Sequence, residues 1–472
     1  MLAAALAFAV LAAPPSDAAA IDAAALARDD APDPPPEPAP AEPETLPQGQ
    51  AARTIPTPRT DARAPEPAAR PAAAKPSPAG EPWLPPRRGL SLQPSTLAVG
   101  RATFTPGKGL GLASKDGRFA LNLSLRTGFQ YTAKHFNDGS APFQHAFELR
   151  RLRVVFWGNV FGEHAKYFFQ LALAPRELQL RDGTLHSHPA WDVYMSFDRL
   201  RDLTLRVGMY RPQYSRERLI QDINPLLVDR SLANAEFNLD RDIGFDLRSE
   251  DFLGLGRLRY YAGVFMGEGR NAERFSDSGL LYTGRIDILP LGLFDDYDSA
   301  DLARGKRFRM SLGAAYAYMD RAHNDKGVLG DRPADGGTTD MHNATADAVI
   351  KFRGLYVEGG YLWRRGKRRP GSAVNDAGVP IPTAAARNGE GWFAQLGFLL
   401  PRTYLEPTFR VSQVLGLGPG TALGDGGELG GGLNYYFAGH NLKLQGDYFR
   451  IWTDRAVARG FDQVRLQLQV AF

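Results

Sequence analysis

The chain of 472 residues contains no cysteine. That removes a disulfide framework, a thiolate metal site and a cysteine nucleophile from the available chemistry. Runs of about 20 apolar residues, the length a helical membrane span needs, are also missing. With a mean hydropathy of −0.30, a polytopic helical membrane protein is excluded. A transmembrane barrel is not, because only alternate residues of its strands meet lipid. No enzyme class is indicated: the chain has no Gly-x-Ser-x-Gly, His-Glu-x-x-His or phosphate-loop pattern. Glycine clusters at 107–111, 416–420 and 424–432 read as turns, and no cofactor is implied. The eight histidines are scattered. Only His186 and His188 are paired, on a stretch that reads as a solvent-facing loop and not as a metal site. No block of Lys and Arg with interleaved aromatics appears, which argues against nucleic acid as a partner.

What is present is unevenly placed. The first twenty residues carry an apolar stretch from Leu2 to Ala13 and a small-residue site ending at Ala20. This pattern predicts a signal peptide, although no Lys or Arg precedes the apolar stretch. Residues 21–95 are mostly Ala, Pro and charge, and 21 of the 35 prolines fall within residues 1–95. Such a segment buries too little apolar surface to fold, and is expected to be a disordered linker in the periplasm. It would serve as a spacer, as a tether to the cell wall, or simply as an inert leader. Net charge is +4 for the whole chain. Residues 1–95 hold 8 basic and 11 acidic groups, so the rest holds 48 against 41, a net +7. A positive excess there suits a lumen that draws anions.

From about residue 118, after an approach at 96–117, alternation with period two begins and recurs to the end. Phe119, Leu121, Leu123 and Leu125 share one face. Leu152, Val154, Phe156 and Val160 oppose Arg151, Arg153 and Asn159. Trp191, Val193, Met195 and Phe197 alternate with Asp192, Tyr194 and Ser196. Leu203, Leu205, Val207 and Met209 alternate with Thr204, Arg206 and Tyr210. The last run is the cleanest, with Val464, Leu466, Leu468, Val470 and Phe472 against Arg465, Gln467, Gln469 and Ala471. Short turns at 162–164, 198–202, 354 and 438–440 alternate with long segments at 135–144, 175–190, 211–241, 321–340, 367–388 and 414–427. Aromatics recur at run ends: Tyr131, Phe147, Trp157, Tyr167, Trp191, Tyr210, Tyr361, Trp363, Trp392, Tyr404, Tyr435, Tyr436 and Trp452. That suits interfacial girdles. Together these features predict an all-β fold, a transmembrane antiparallel β-barrel of about sixteen strands over 118–472. They place it in the outer membrane of a Gram-negative bacterium, in contact with its lipid. A final strand closing on Phe472 suits recognition by the barrel assembly machinery.

Several stretches resemble the phosphate-selective porin O and P family. They are FELRRLRVVFWGNVFG (147–162), AWDVYMSFDRL with LTLRVGMYRPQYSRERL (190–219), DRSLANAEFNLDRDIGFDL (229–247), GVFMGEGRN (263–271) and GGGLNYYFAGHNLKLQGDYFRI (430–451). The resemblance implies a sixteen-stranded, trimeric channel for small solutes, with one long loop folded into the lumen. By order, that loop is 211–241.

A diffusion channel needs a wet, charge-lined path and no reaction centre. Arginine suits phosphate or carboxylate because its planar fork donates two parallel hydrogen bonds and keeps its charge. Inward strand positions supply Arg151, Arg153, Arg206, Arg248 and Arg465, with Lys351 further on. The long loop supplies Arg211, Arg216, Arg218, Arg230 and Arg241, flanked by Tyr210 and Tyr214. Against an anion-binding role, Asp222, Asp229, Asp240, Asp242 and Asp246 stand close enough in sequence to neutralise much of the loop. Residues 205–247 contain no lysine, which argues against strict phosphate specificity. The expectation is a porin passing small hydrophilic solutes, anions such as phosphate preferred. The competing expectation is a plugged structural barrel that tethers the envelope through its linker.

Overall fold

A computed structural model describes residues 99–472, except 106, 138, 140, 182–183, 186, 271–278 and 455–459. The expected signal peptide and linker lie outside the described residues, as does His186. The chain opens with a hairpin, β1 (Val99–Thr105) and β2 (Gly109–Ser114). Then come β3 (Ala120–Phe136), β4 (Gln144–Asn159), β5 (Ala165–Ala172), a minor pair β6 (Leu180–Arg181) and β7 (Thr184–Leu185), β8 (Ala190–Leu200) and β9 (Leu203–Tyr210). Two short helices, α1 (Arg216–Leu219) and α2 (Leu232–Phe237), lie between β9 and β10 (Asp242–Ser249). The remaining strands are β11 (Leu258–Phe265), β12 (Leu281–Ile288), β13 (Arg309–Ala322), β14 (Thr338–Phe352), β15 (Leu355–Arg369) and β16 (Gly389–Phe398). The last four are β17 (Leu405–Gly416), β18 (Gly426–Tyr436), β19 (Leu442–Thr453) and β20 (Phe461–Ala471).

Every large strand pairs antiparallel with its neighbours in sequence, and β20 returns to pair with β3. Sixteen strands, β3–β5 and β8–β20, thus close into a barrel. Period-two patterning dictates this. Along β20, Val464, Leu466 and Leu468 face out at 48, 49 and 40% exposure, while Arg465, Gln467 and Gln469 are buried inside. The interior is polar: Arg153, Arg216, Arg241, Arg248, Arg285, Arg364 and Arg410 are among its largest fully buried side chains. An apolar exterior around a charged interior is the inverse of a soluble core and fits a barrel in lipid.

Two of the bulges change which residues face inward. Gly128 and Phe129 of β3 pair with Arg151 and Leu149, so Arg150 is extra in β4 and turns inward beside Arg151. Gln170 and Leu171 of β5 pair with Asp192 and Ala190, so Trp191 is extra in β8. Trp191, expected on the lipid face, is therefore buried in the lumen at 1% exposure. Tyr210 and Tyr436, expected in a girdle, also face inward at 2% exposure. Phe147, Tyr361 and Tyr404 do face outward.

Turn lengths alternate between the two barrel ends, and the short end includes the two-residue turn Arg353-Gly354. Both residues have positive φ, 52° and 93°, the type I′ geometry that matches strand twist. One connection departs from the expected short turns. Residues 289–308, between β12 and β13, lie at the short-turn end yet form a long segment. Asp296, Ser299, Ala300 and Asp301 of that segment are buried. Nothing in the period-two pattern announces it, because an irregular insert has no period.

Candidate pore constriction

The segment 211–241 enters from the long-loop end, and nearly all of it is buried. Its local shape comes from its own polar residues. Ser231 caps α2 by accepting from the Asn234 N–H at 3.1 Å. Glu217 accepts from the Ser231 N–H at 2.7 Å and from its hydroxyl at 2.5 Å, tying α1 to α2. Arg230 donates to the Glu217 and Ile220 carbonyls at 2.8 Å each. The wall of β16 makes room for α2: a Cβ at Gly391 would lie 2.8 Å from the Phe237 ring and 3.0 Å from Ala233.

Side chains from most of the barrel then hold the segment. On one side, Asn434 of β18 donates to the Leu226 carbonyl at 2.8 Å, and Lys443 of β19 to the Pro225 carbonyl at 2.9 Å. Gln469 of β20 donates to the Ile223 carbonyl at 2.8 Å. Arg410 of β17 reaches the Asp229 and Arg230 carbonyls at 2.7 and 3.0 Å. Arg364 of β15 pairs with Glu236 at 3.0 Å. Burial would raise the Glu236 pKa, but Lys326, Arg387 and Arg364 together hold it down to about 2. Further round the wall, Arg150 of β4 and Arg465 of β20 grip Asp229 at 3.0 and 2.7 Å. Arg153 grips Asp222 at 2.7 Å.

Arg216 joins this segment to the second insert. It pairs with Asp347 of β14 at 2.6 Å, Asp296 of 289–308 at 2.6 Å and Asp287 of β12 at 3.4 Å. Arg285 bonds the same Asp347 and the Tyr214 carbonyl. The insert is fastened further by His440, whose Nε2 lies 3.1 Å from Asp298 and 3.0 Å from the Ser299 carbonyl.

The other sequence-selected residues gather mostly on the wall of β3, β4 and β8–β10. Arg151 contacts Gln467 at 3.0 Å and Asp222 at 3.5 Å. Arg206 lies 4.3 Å over the Tyr194 ring and 5.5 Å from that of Tyr210. Arg248 makes two bonds to Asp246 at 2.7 and 2.6 Å. Arg218 and Arg241 share Asp240 at 2.7 and 3.0 Å. Arg211 donates to the Leu219 carbonyl at 3.0 Å. Asp242 binds the Ile243 and Gly267 N–H groups and pairs with no arginine among the described residues. Lys351 stands apart near the short-turn end of β14, 5.6 Å over the Tyr356 ring.

Sequence reasoning passed over several lumen residues. Arg126 sits opposite Arg153 in register and donates to Gln221 at 3.3 Å. Arg270 stacks 3.8 Å over Trp191, whose rings Arg241 and Arg153 also approach at 4.6 and 5.3 Å. Among the described residues, Arg126 and Arg270 form no ion pair with a carboxylate. Alternation alone would have flagged Arg126, Arg285, Arg364, Arg410 and Lys443. Arg150 and Trp191 required the bulges. His188 is spoken for by the Arg270 carbonyl, 2.8 Å from its Nε2. Above the constriction, at the long-loop end, Gln130, Thr132, Lys134, Glu148, Arg176 and Asp229 line a cavity of about 450 Å³.

The sequence matches the family described as phosphate-selective porin O and P over residues 119–472, and the chain belongs to that family. It is an outer-membrane porin. No curated protein matches the sequence. Among solved structures, it is similar to OccK1 (OpdK) of Pseudomonas aeruginosa at 15% identity, TM-score 0.39, covering 75% of this chain and 98% of that one. It is also similar to the outer-membrane-expressed OmpT of Vibrio cholerae at 9% identity, TM-score 0.46, covering 75% and 98%.

Proposed function

We propose that this porin passes small hydrophilic solutes with a preference for anions, phosphate included, along its arginine-bearing wall. The observation behind this is the row of Arg150, Arg151, Arg126, Arg153, Arg241 and Arg270, in which Arg126 and Arg270 have no carboxylate within ion-pair distance among the described residues. Arg206 and Arg248 continue that row towards the short-turn end. Asp192, Asp222, Asp229, Asp240 and Glu177 pair with four of these six arginines and lower the net charge of the row without cancelling it. An anion entering from the long-loop end would pass Lys134 and Arg176, then exchange water for guanidinium forks. The channel works as a homotrimer, with its long loops outside the cell and its linker in the periplasm.

The test is the zero-current potential of the refolded protein in a planar bilayer under a KCl gradient, followed by titration with phosphate. Anion preference and block by phosphate are expected, and Arg126→Gln should reduce both. Cation preference would overturn the reading. A second reading, a plugged barrel with a tethering linker, is favoured by the many bonds that hold 211–241 and 289–308 in the lumen. Absence of conductance, together with loss of envelope attachment on deleting 21–95, would select it.

A further inference from the structure

Outward positions of β15 change character along the strand. Near the short-turn end they are Leu355 and Val357, then Tyr361 and Trp363, then Arg365, Lys367 and Arg369. The last three alternate, so they share one outer face at a spacing of about 7 Å. All three are exposed. Neighbouring strands carry the same transition. Tyr318 of β13 is opposite His342 of β14, and His342 is opposite Arg365. Tyr316 and His342 bond at 2.5 Å between the hydroxyl and Nδ1, and the Tyr318 and His342 rings lie 4.9 Å apart. Arg369 is bound to Asp340 at 2.9 Å and Asp320 at 3.3 Å. Arg365 and Lys367 form no ion pair or side-chain hydrogen bond among the described residues.

Depth decides what these two cations meet. A strand tilted by about 40° climbs about 2.6 Å per residue, so ten residues cover the apolar band of about 25 Å. Counted from Leu355 at the short-turn end, that band ends at Arg365. Lys367 then lies about 5 Å above it. Both stand just above Tyr361, Trp363 and Tyr316, whose rings mark the interface. Cations at this level sit among lipid headgroups, not among tails and not in bulk water. They lie on the leaflet at the long-loop end, which faces the outside and carries phosphorylated glycolipid.

We propose that the outer face of β13–β15 binds the phosphate of an outer-leaflet glycolipid through Arg365 and Lys367. The guanidinium supplies a bidentate fork and the ammonium a second charge about 7 Å away. Arg369 and Arg321 neutralise Asp320 and Asp340, so these aspartates do not compete for Arg365 and Lys367. The tyrosines and Trp363 pack against the sugar and the upper acyl segments. This site lies outside the lumen and does not depend on which ion the channel prefers.

The test uses full-length protein in detergent, titrated with bis-phosphorylated lipid A or with its dephosphorylated form and read by native mass spectrometry. Wild type should retain the phosphorylated lipid at least several-fold better than the dephosphorylated one. R365Q/K367Q should lose that difference, whereas R365K/K367R should keep it. Arg402→Gln, a charge removed at the opposite barrel end, should change nothing. Single-channel conductance of R365Q/K367Q should match wild type, which shows that the barrel is folded. Equal retention of both lipids by wild type, or an unchanged preference in R365Q/K367Q, would overturn the proposal.

Discussion

The two segments that fill the lumen are held in different ways. The one at 211–241 presents backbone carbonyls to Asn434, Lys443, Gln469 and Arg410, and carboxylates to Arg150, Arg153 and Arg364. The one at 289–308 offers chiefly aspartates, Asp296 to Arg216 and Arg259 and Asp298 to His440. The first is surrounded by donors from all round the barrel, so its many small contributions lock a shape. The second depends on a few ion pairs, and Arg216 is where the two meet.

The sharpest way to break this contrast is Arg216→Ala. It leaves Asp287, Asp296 and Asp347, each at most 2% exposed, with only Arg285 and Arg259 to share. Stranding buried charge costs about 3–5 kcal/mol. Urea unfolding of the purified barrel should show a loss of that order, with noisier conductance as both inserts loosen. Unchanged stability would mean that the inserts are independent. Acid titration reaches 211–241 through Glu236. The Glu236 carboxyl is held at about 2 against an ordinary 4.5, so its charge is preferred in the fold. Its anchoring is complete above that ordinary value and is lost as the pH falls from about 4.5 towards 2. Conductance of wild type should change through that window, and Glu236→Gln should show a smaller step, the remainder coming from aspartates such as Asp347. A smaller effect is expected from Asn434→Ala, which removes the donor to Leu226 together with the bonds Asn434 makes to Glu406 and Gln445. About 1–3 kcal/mol should be lost, read as a fall in the urea midpoint. A loss as large as that of Arg216→Ala would mean that 211–241 hangs on single bonds.

Much of the architecture was legible because lipid and lumen impose opposite demands on successive residues. The last strand reads directly, and so do the inward arginines of β4, β9 and β20. What escaped was non-local. Whether Arg150 or Trp191 faces inward depends on an extra residue in the pairing with a neighbouring strand. The lysine missing from 205–247 is supplied by Lys443, more than two hundred positions from the carbonyl it binds. The acidic run around Asp295, Asp296 and Asp298 resembles any hydrophilic turn until Arg216 is in place.

Strand β3 pairs on one edge with β4, its neighbour in sequence, and on the other with β20. Bonds such as that from the Ser124 hydroxyl to the Phe472 carbonyl join residues 348 apart. Bringing such distant ends together in a free chain costs about 5 kcal/mol in entropy, scaling with the logarithm of the loop. Fifteen seams of the cylinder join consecutive large strands and can zip as the chain emerges. The sixteenth must wait for the final strand, and until then the edge of β3 is covered only along its start, where β2 pairs with it. Whatever shields that edge during assembly determines whether the chain becomes a cylinder or an aggregate.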